Sequence, residues 1–284
     1  MMRYFYGFIG VLFLLVASLY VAHITSPDPT HNPASLEDEP LEAGLAPIDQ
    51  AITLAQYETE AGAIGTLLVT DFDGQSVRGI ALTALGAPLT TDPFEAFAAV
   101  DLENLSLPAS GVFEMTVLSI NDVLPSGPRG NRHIGIGTNF PEHAEESSSD
   151  GVFNFPKFGA ATPARTRVSA PADGLLDYEV ELCVRFDRPI RSLADFDAAV
   201  KGLFLCADFT DRIALVQLAD PDNLDSGYGF SDAKSGEGFF PTGPFLVIPK
   251  DLAAFVKETR MTTTYNGAPR QVMARRARMR AVAR

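Results

Sequence analysis

The stretch Leu176-Asp-Tyr-Glu-Val-Glu-Leu-Cys-Val-Arg-Phe186 decides how this chain is read. Val, Leu, Tyr and Phe fill it, Gly and Pro are absent, and its length suits one strand. Side chains alternate across a strand, so Glu179 and Glu181 project from one face while Tyr178, Val180 and Leu182 project from the other. Neighbouring carboxylates repel each other unless water or a cation screens them, and hard divalent cations such as Mg²⁺ take oxygen ligands of this kind. Taken alone, the pair is better read as a solvated strand face.

Moving outward, residues 193–200 have helical spacing with Ser192 as N-cap, and residues 202–209 form a second apolar strand. Asp208 ends that strand, within Asp208-Phe-Thr-Asp-Arg212. An acid there can reach a site shared with a neighbouring strand, although by itself it reads as a turn or cap residue. Further on come Lys234-Ser235 and a Gly/Pro-punctuated run through Gly243-Pro244. A lysine beside a cation can neutralise a substrate carboxylate or an enolate, but alone it is a surface lysine. Upstream lies Asn139-Phe-Pro-Glu-His143-Ala-Glu-Glu146. One helical turn would put His143 and Glu146 on one face, and a carboxylate beside an imidazole raises its basicity, which suits a base that activates water. The plain alternative is a surface His–Glu pair.

The rest of the chain frames these pieces. Its 284 residues suffice for one large domain, or for a small domain plus a large one. With 23 Gly and 20 Pro, turns should be frequent and long helices few, which favours a β-rich fold. A net charge of −14 excludes the cationic surface that duplex binding needs, so nucleic acid is not an expected partner. Cys183 and Cys206 both lie in apolar, strand-like runs. They read as small buried hydrophobes, with a single disulfide open if the domain is exported.

Residues 4–22 carry no charge and are about as long as a helix needs to span a bilayer. Arg3 precedes them and Asp28, Glu37, Asp38 and Glu39 follow, so the expectation is a membrane anchor with the main domain extracytoplasmic. A signal segment cleaved on secretion is the alternative. The division expected from the sequence is an anchor at 1–25, a polar linker at 26–47, a small β-rich subdomain at 48–126, a larger catalytic domain at 127–266 and a basic tail at 267–284. The tail has six arginines between Arg270 and Arg284 and no strand pattern, and reads as disordered or as an altered reading frame.

Together the pieces resemble the fumarylacetoacetate hydrolase family in order and spacing. The resemblance rests on Asn139-Phe-x-x-His143-x-x-Glu146, on Phe153-x-Phe155-x-Lys157, on Tyr178-Glu179-x-Glu181-Leu182, on Asp208-x-Thr-x-Arg212, and on Lys234-Ser235 leading to Gly243-Pro244. It covers roughly 128–250. It implies an α+β, β-rich fold with a mixed, rolled sheet, preceded here by the transmembrane helix. It also implies Mg²⁺ or Mn²⁺ on Glu179, Glu181 and Asp208. Catalytic roles would fall to His143, Glu146 and Lys234, and substrate contacts to Asn139, Lys157 and Arg212. The implied activity is metal-dependent hydrolysis of a C–C bond in β-diketo acids of the acylpyruvate or fumarylacetoacetate kind, in a homodimer. Decarboxylation or tautomerisation of α-keto acids on the same scaffold, or an impaired relative that only binds, are the alternatives. Two departures stand out. Ile213 and Leu215 occupy positions where the family has Asp and Gln, and after Tyr265-Asn-Gly267 the family's Gly-Thr-Pro-Gly loop does not follow.

Overall fold

A computed structural model describes residues 16–21, 44–100, 102, 113–138 and 152–274. A seven-stranded sheet organises the main body, built from β1 (Ala51–Glu58), β2 (Ile64–Phe72), β3 (Ser76–Ala81), β4 (Met115–Ser119), β7 (Leu176–Phe186), β8 (Lys201–Asp211) and β9 (Leu246–Pro249), in the order β4-β3-β2-β1-β9-β8-β7. Two shorter pairs accompany it: β5 (Arg132–Gly137) with β6 (Phe153–Phe158), and β10 (Arg260–Tyr265) with β11 (Ala268–Ala274). Among the described residues, five short helices lie between strands: α1 (Pro93–Ala98), α2 (Leu193–Ala198), α3 (Arg212–Leu218), α4 (Phe230–Lys234) and α5 (Leu252–Glu258).

β1 sits near the middle, paired to β2 on one side and β9 on the other, with Leu54 opposite both Leu68 and Leu246. Apolar groups cover both of its faces, so Ala51, Ile52, Leu54 and Ala55 are all buried. One cluster gathers Ile52, Leu54, Leu68, Phe94, Phe204, Phe240 and Leu246; a second gathers Ala55, Leu67, Val69, Val77, Ile120 and Val123. Two-sided burial removes the period-two alternation, which is why this segment reads from sequence as either strand or helix. The β2–β3 turn is closed by Asp73, whose Oδ1 accepts from the amides of Gln75 and Ser76 at 2.9 and 2.6 Å.

β7 and β8 run side by side for eleven residues each, from Leu176 opposite Asp211 to Phe186 opposite Lys201. Both ends are fastened. At one end Asp211 caps α3, accepting from the amides of Ile213 and Ala214, and the same Oδ1 accepts from Leu175 at 3.2 Å. At the other, Asp187 Oδ1 accepts from the Val200 amide at 2.9 Å, and Ser192 caps α2 by accepting from Asp195.

The described strand ladders of the large sheet are antiparallel, which corrects the mixed sheet expected from the sequence. A lone parallel bridge, Thr162 with Pro241, lies outside the named strands. The sheet runs across the boundary drawn at residues 126 and 127, since β1–β4 and β7–β9 share it. β10 and β11 form a hairpin whose turn residues, Asn266 and Gly267, both have positive φ, at 51° and 79°, the geometry an Asn-Gly turn supplies. β11 reaches Ala274, so the arginine-rich stretch is not without strand at its start. Of residues 4–22, those at 16–21 are helical and the rest lie outside the described residues. Among the described residues no helix is long and apolar enough to cross a membrane.

Candidate functional site

The site grows from one face of the β7–β8 ladder. In an antiparallel pair, residues directly opposite share a face. Asp177 faces Thr210, Glu179 faces Asp208, and Glu181 faces Cys206. The face therefore carries three acids on β7 and one on β8, in the arrangement the alternation of Glu179 and Glu181 predicts.

Two lysines approach from separate elements. β6 alternates buried and exposed residues, and Lys157 points inward. The β5–β6 pair accepts this because Gly135 and Gly137 lie under the rings of Phe155 and Phe153, where a Cβ would collide. Phe153 and Phe155 also pack on Phe230, with ring centroids 4.9 and 5.5 Å away, which seats α4 against β6. α4 ends at Lys234. Both lysines are nearly sealed from water, at 4% and 5% exposure.

Their ammonium groups meet on Asp208. Lys157 Nζ donates to Asp208 Oδ1 at 2.5 Å and to the Lys234 carbonyl at 2.6 Å. Lys234 Nζ donates to Asp208 Oδ2 at 2.7 Å and to Glu179 Oε2 at 3.3 Å, so it bridges the two acids of one rung. From α3, Arg212 binds Asp177 Oδ2 through Nε at 2.6 Å and Glu179 Oε1 through its terminal nitrogen at 3.2 Å. Three cations thus face Asp177, Glu179 and Asp208, with Glu181 one rung further on.

Environment separates the two lysines. Burial lowers the Lys157 pKa, and attraction to Asp208 only partly offsets this. Burial pushes Lys234 the same way, but Asp208 and Glu179 together outweigh it and hold its pKa above the ordinary lysine value. Lys234 is therefore the firmly charged member. His133, opposite Lys157 on β5, donates from Nε2 to the Gly159 carbonyl at 2.9 Å and packs on the Phe240 ring at 4.5 Å. Burial lowers its pKa. Nothing in the sequence around His133 marked it; the signal is its pairing with Lys157, visible once β5 and β6 are aligned. Asp177, the partner of Arg212, shares the parity of Glu179 and Glu181, and that parity is the signal in the sequence that places it on their face.

Of the residues singled out from sequence, Glu179, Glu181, Asp208, Lys157, Lys234 and Arg212 come together here. Asn139, His143 and Glu146 lie outside the described residues. Their segment connects two strand ends that are paired, Gly137 opposite Phe153. Lys157 and Arg212, expected at substrate, are engaged with acids of the site. The expected metal ligands are hard oxygen donors of the type Mg²⁺ and Mn²⁺ prefer, so the residue set fits such an ion in kind. Among the described residues no group of three or more His, Cys, Asp or Glu stands in an ion-holding arrangement; ammonium groups bridge the carboxylates instead.

Residues 132–279 match the family model described as Fumarylacetoacetate (FAA) hydrolase C-terminal. The chain belongs to the fumarylacetoacetate hydrolase family, an enzyme family whose members often use divalent metals. The match continues into the arginine-rich stretch and so lends no support to reading 267–284 as foreign to the fold. No curated protein matches the sequence. Among solved structures, a protein described as HpcE from Mycobacterium smegmatis shares 24% identity over 78% of this chain and 75% of its own, with a TM-score of 0.51, and supports the fold. A fumarylacetoacetate hydrolase family protein from Yersinia pestis CO92 shares 26% identity over 55% of this chain and 71% of its own, at a TM-score of 0.43. A 2-hydroxyhepta-2,4-diene-1,7-dioate isomerase from Mycobacterium marinum shares 18% over 78% of this chain and 74% of its own, at 0.46.

Proposed function

We propose that this protein is a divalent-metal-dependent hydrolase that cleaves a C–C bond in β-diketo acids of the acylpyruvate or fumarylacetoacetate kind. The observation that carries the reading is the Glu179–Asp208 rung with the Lys234 ammonium bridging it, in a chain of this family. Glu179, Glu181 and Asp208 would hold Mg²⁺ or Mn²⁺. When bound, the ion supplies Lewis-acid polarisation of a chelated keto acid.

The chain's own residues supply the rest. Lys234, held charged by Asp208 and Glu179, offers a buried positive charge to the oxygen on which negative charge develops. His143, oriented by Glu146, takes a proton from water as the water oxygen bonds to the distal carbonyl carbon. The C–C bond then breaks, its electron pair leaves as an enolate, and that carbon takes up a proton to give the keto product. Asn139 and Arg212 orient the substrate, and Lys157 fixes Asp208. The N-terminal anchor and an extracytoplasmic main domain belong to the same reading, as does a homodimer. The compartment is supported by the bonded pair Cys183–Cys206, since such bonds persist where the surroundings are oxidising.

The test is turnover of acetylpyruvate and fumarylacetoacetate by the full-length protein in mild detergent, with and without Mg²⁺ or Mn²⁺. Glu179→Ala and His143→Ala are each expected to lower the rate by about a hundredfold or more. CO₂ release, or an enol–keto shift without cleavage, would replace hydrolysis by the other chemistries. A folded protein that binds the ion and turns nothing over would overturn the enzyme reading.

A further inference from the structure

Cys183 and Cys206 are joined across β7 and β8, with Cα atoms 6.0 Å apart. The bond is diagonal in the ladder: Cys206 lies directly opposite Glu181, while Cys183 lies opposite Phe204, one rung deeper on the same face. That face is the one carrying Glu179, Glu181 and Asp208. Cys206 is buried in the cluster of Phe204, Phe240 and Leu246, and Cys183 packs against it. The bond therefore stands where the hydrophobic core ends and the acids begin.

The position matters because, among the described residues, β7 is the last strand of the sheet, held by β8 on one side. Glu179 opposite Asp208 is a rung of like charges, which by itself pushes an edge strand away from its neighbour. The cations that offset this repulsion come from β6, α3 and α4, and they hold the acids through ion pairs alone. The disulfide ties β7 to β8 covalently.

We propose that the Cys183–Cys206 disulfide is a positioning strut for the site, holding β7 against β8 at the rung of Glu181 so that Glu179 and Glu181 stay aligned with Asp208 for a hard divalent cation. The inference rests on the cation reading given above. To form the strut, each thiol loses a proton and two electrons pass to an external disulfide, which leaves as two thiols. The site is then assembled only after the chain has met a disulfide-type oxidant.

The experiment compares the full-length protein with Cys183→Ala/Cys206→Ala in the same detergent. Free Mn²⁺ is followed by electron paramagnetic resonance, and amide hydrogen exchange is followed by mass spectrometry for peptides of β7 and of β1–β2. The expected result is Mn²⁺ affinity weakened about tenfold or more, with faster exchange in β7 and unchanged exchange in β1–β2. Uniformly faster exchange would mean a general stabilising role and overturn the strut, as would equal affinity with equal exchange. If the unmodified protein binds no Mn²⁺, the cation reading falls, and β7 exchange decides the strut by itself: faster supports it, unchanged overturns it. Cys183→Val/Cys206→Ala, which refills the space, carries the comparison should the double-alanine chain not fold. Two free thiols in the protein recovered from its own compartment would overturn the strut outright.

Discussion

Asp208 accepts from two lysines that are almost fully buried, so the three residues cannot be changed interchangeably. Asp208→Asn removes the carboxylate the two buried ammonium groups share, leaving Lys157 only the Lys234 carbonyl and Lys234 only Glu179 as acceptors, and urea denaturation should register a loss of about 3–5 kcal/mol. Lys157→Met removes the member whose charge burial already disfavours, and should cost clearly less by the same measurement. His133 gives a second prediction. Its pKa is lowered in the folded protein by burial, so below the ordinary imidazole range the unfolded chain takes up a proton that the folded chain refuses. Stability should fall as pH drops through that range, and the pH profile of Tm for His133→Asn should be flatter there. At this scale the sequence was half legible. Glu179 and Glu181 were readable because alternation along one strand fixes their face. The Lys157–Asp208 contact spans 51 positions and depends on how β6 lies beside β8, which no local period encodes. The cysteine pair stayed open because bonding depends on compartment as well as on spacing.

β7 is legible residue for residue because acidic and apolar side chains alternate along residues 177–182 within an uninterrupted strand-forming run. β1 was ambiguous because both of its faces are buried. β11 was missed because Ala268-Pro-Arg-Gln-Val-Met-Ala274 has no alternation and opens the arginine-rich stretch. The β5–β6 pair depends on glycine in a way its sequence does not announce: Ile134 and Ile136 are exposed, while Gly135 and Gly137 leave space for Phe155 and Phe153. A methyl group at Gly135 must displace the Phe155 ring, and with it the packing on Phe230 that seats Lys234. Gly135→Ala should cost about 1–3 kcal/mol in thermal unfolding. Adding Phe155→Leu to that variant should recover part of the loss.

The sheet makes the main body indivisible. β9 lies between β1 and β8, so Leu246 and Ile248 are buried partly by residues from the first half of the chain. A chain beginning at residue 127 would carry the whole family-matched segment and yet lack β1–β4. It should show no cooperative thermal transition, whereas the full-length protein should, as followed by circular dichroism. The sequence divided this body in two because Pro- and Gly-containing turns mark chain connections, and such marks do not reveal which strands become neighbours. The place of β7 at the end of the sheet has one more consequence. An open edge invites pairing with another molecule, and charged side chains along it are what discourage that. Asp177, Glu179, Glu181, Arg185 and Asp187 lie on or beside β7, so the carboxylates of the candidate site also serve as gatekeepers against aggregation. Removing them to probe chemistry would also lower the barrier to edge-to-edge association, and a Glu179→Ala/Glu181→Ala chain should be judged inactive only after light scattering has found it monodisperse.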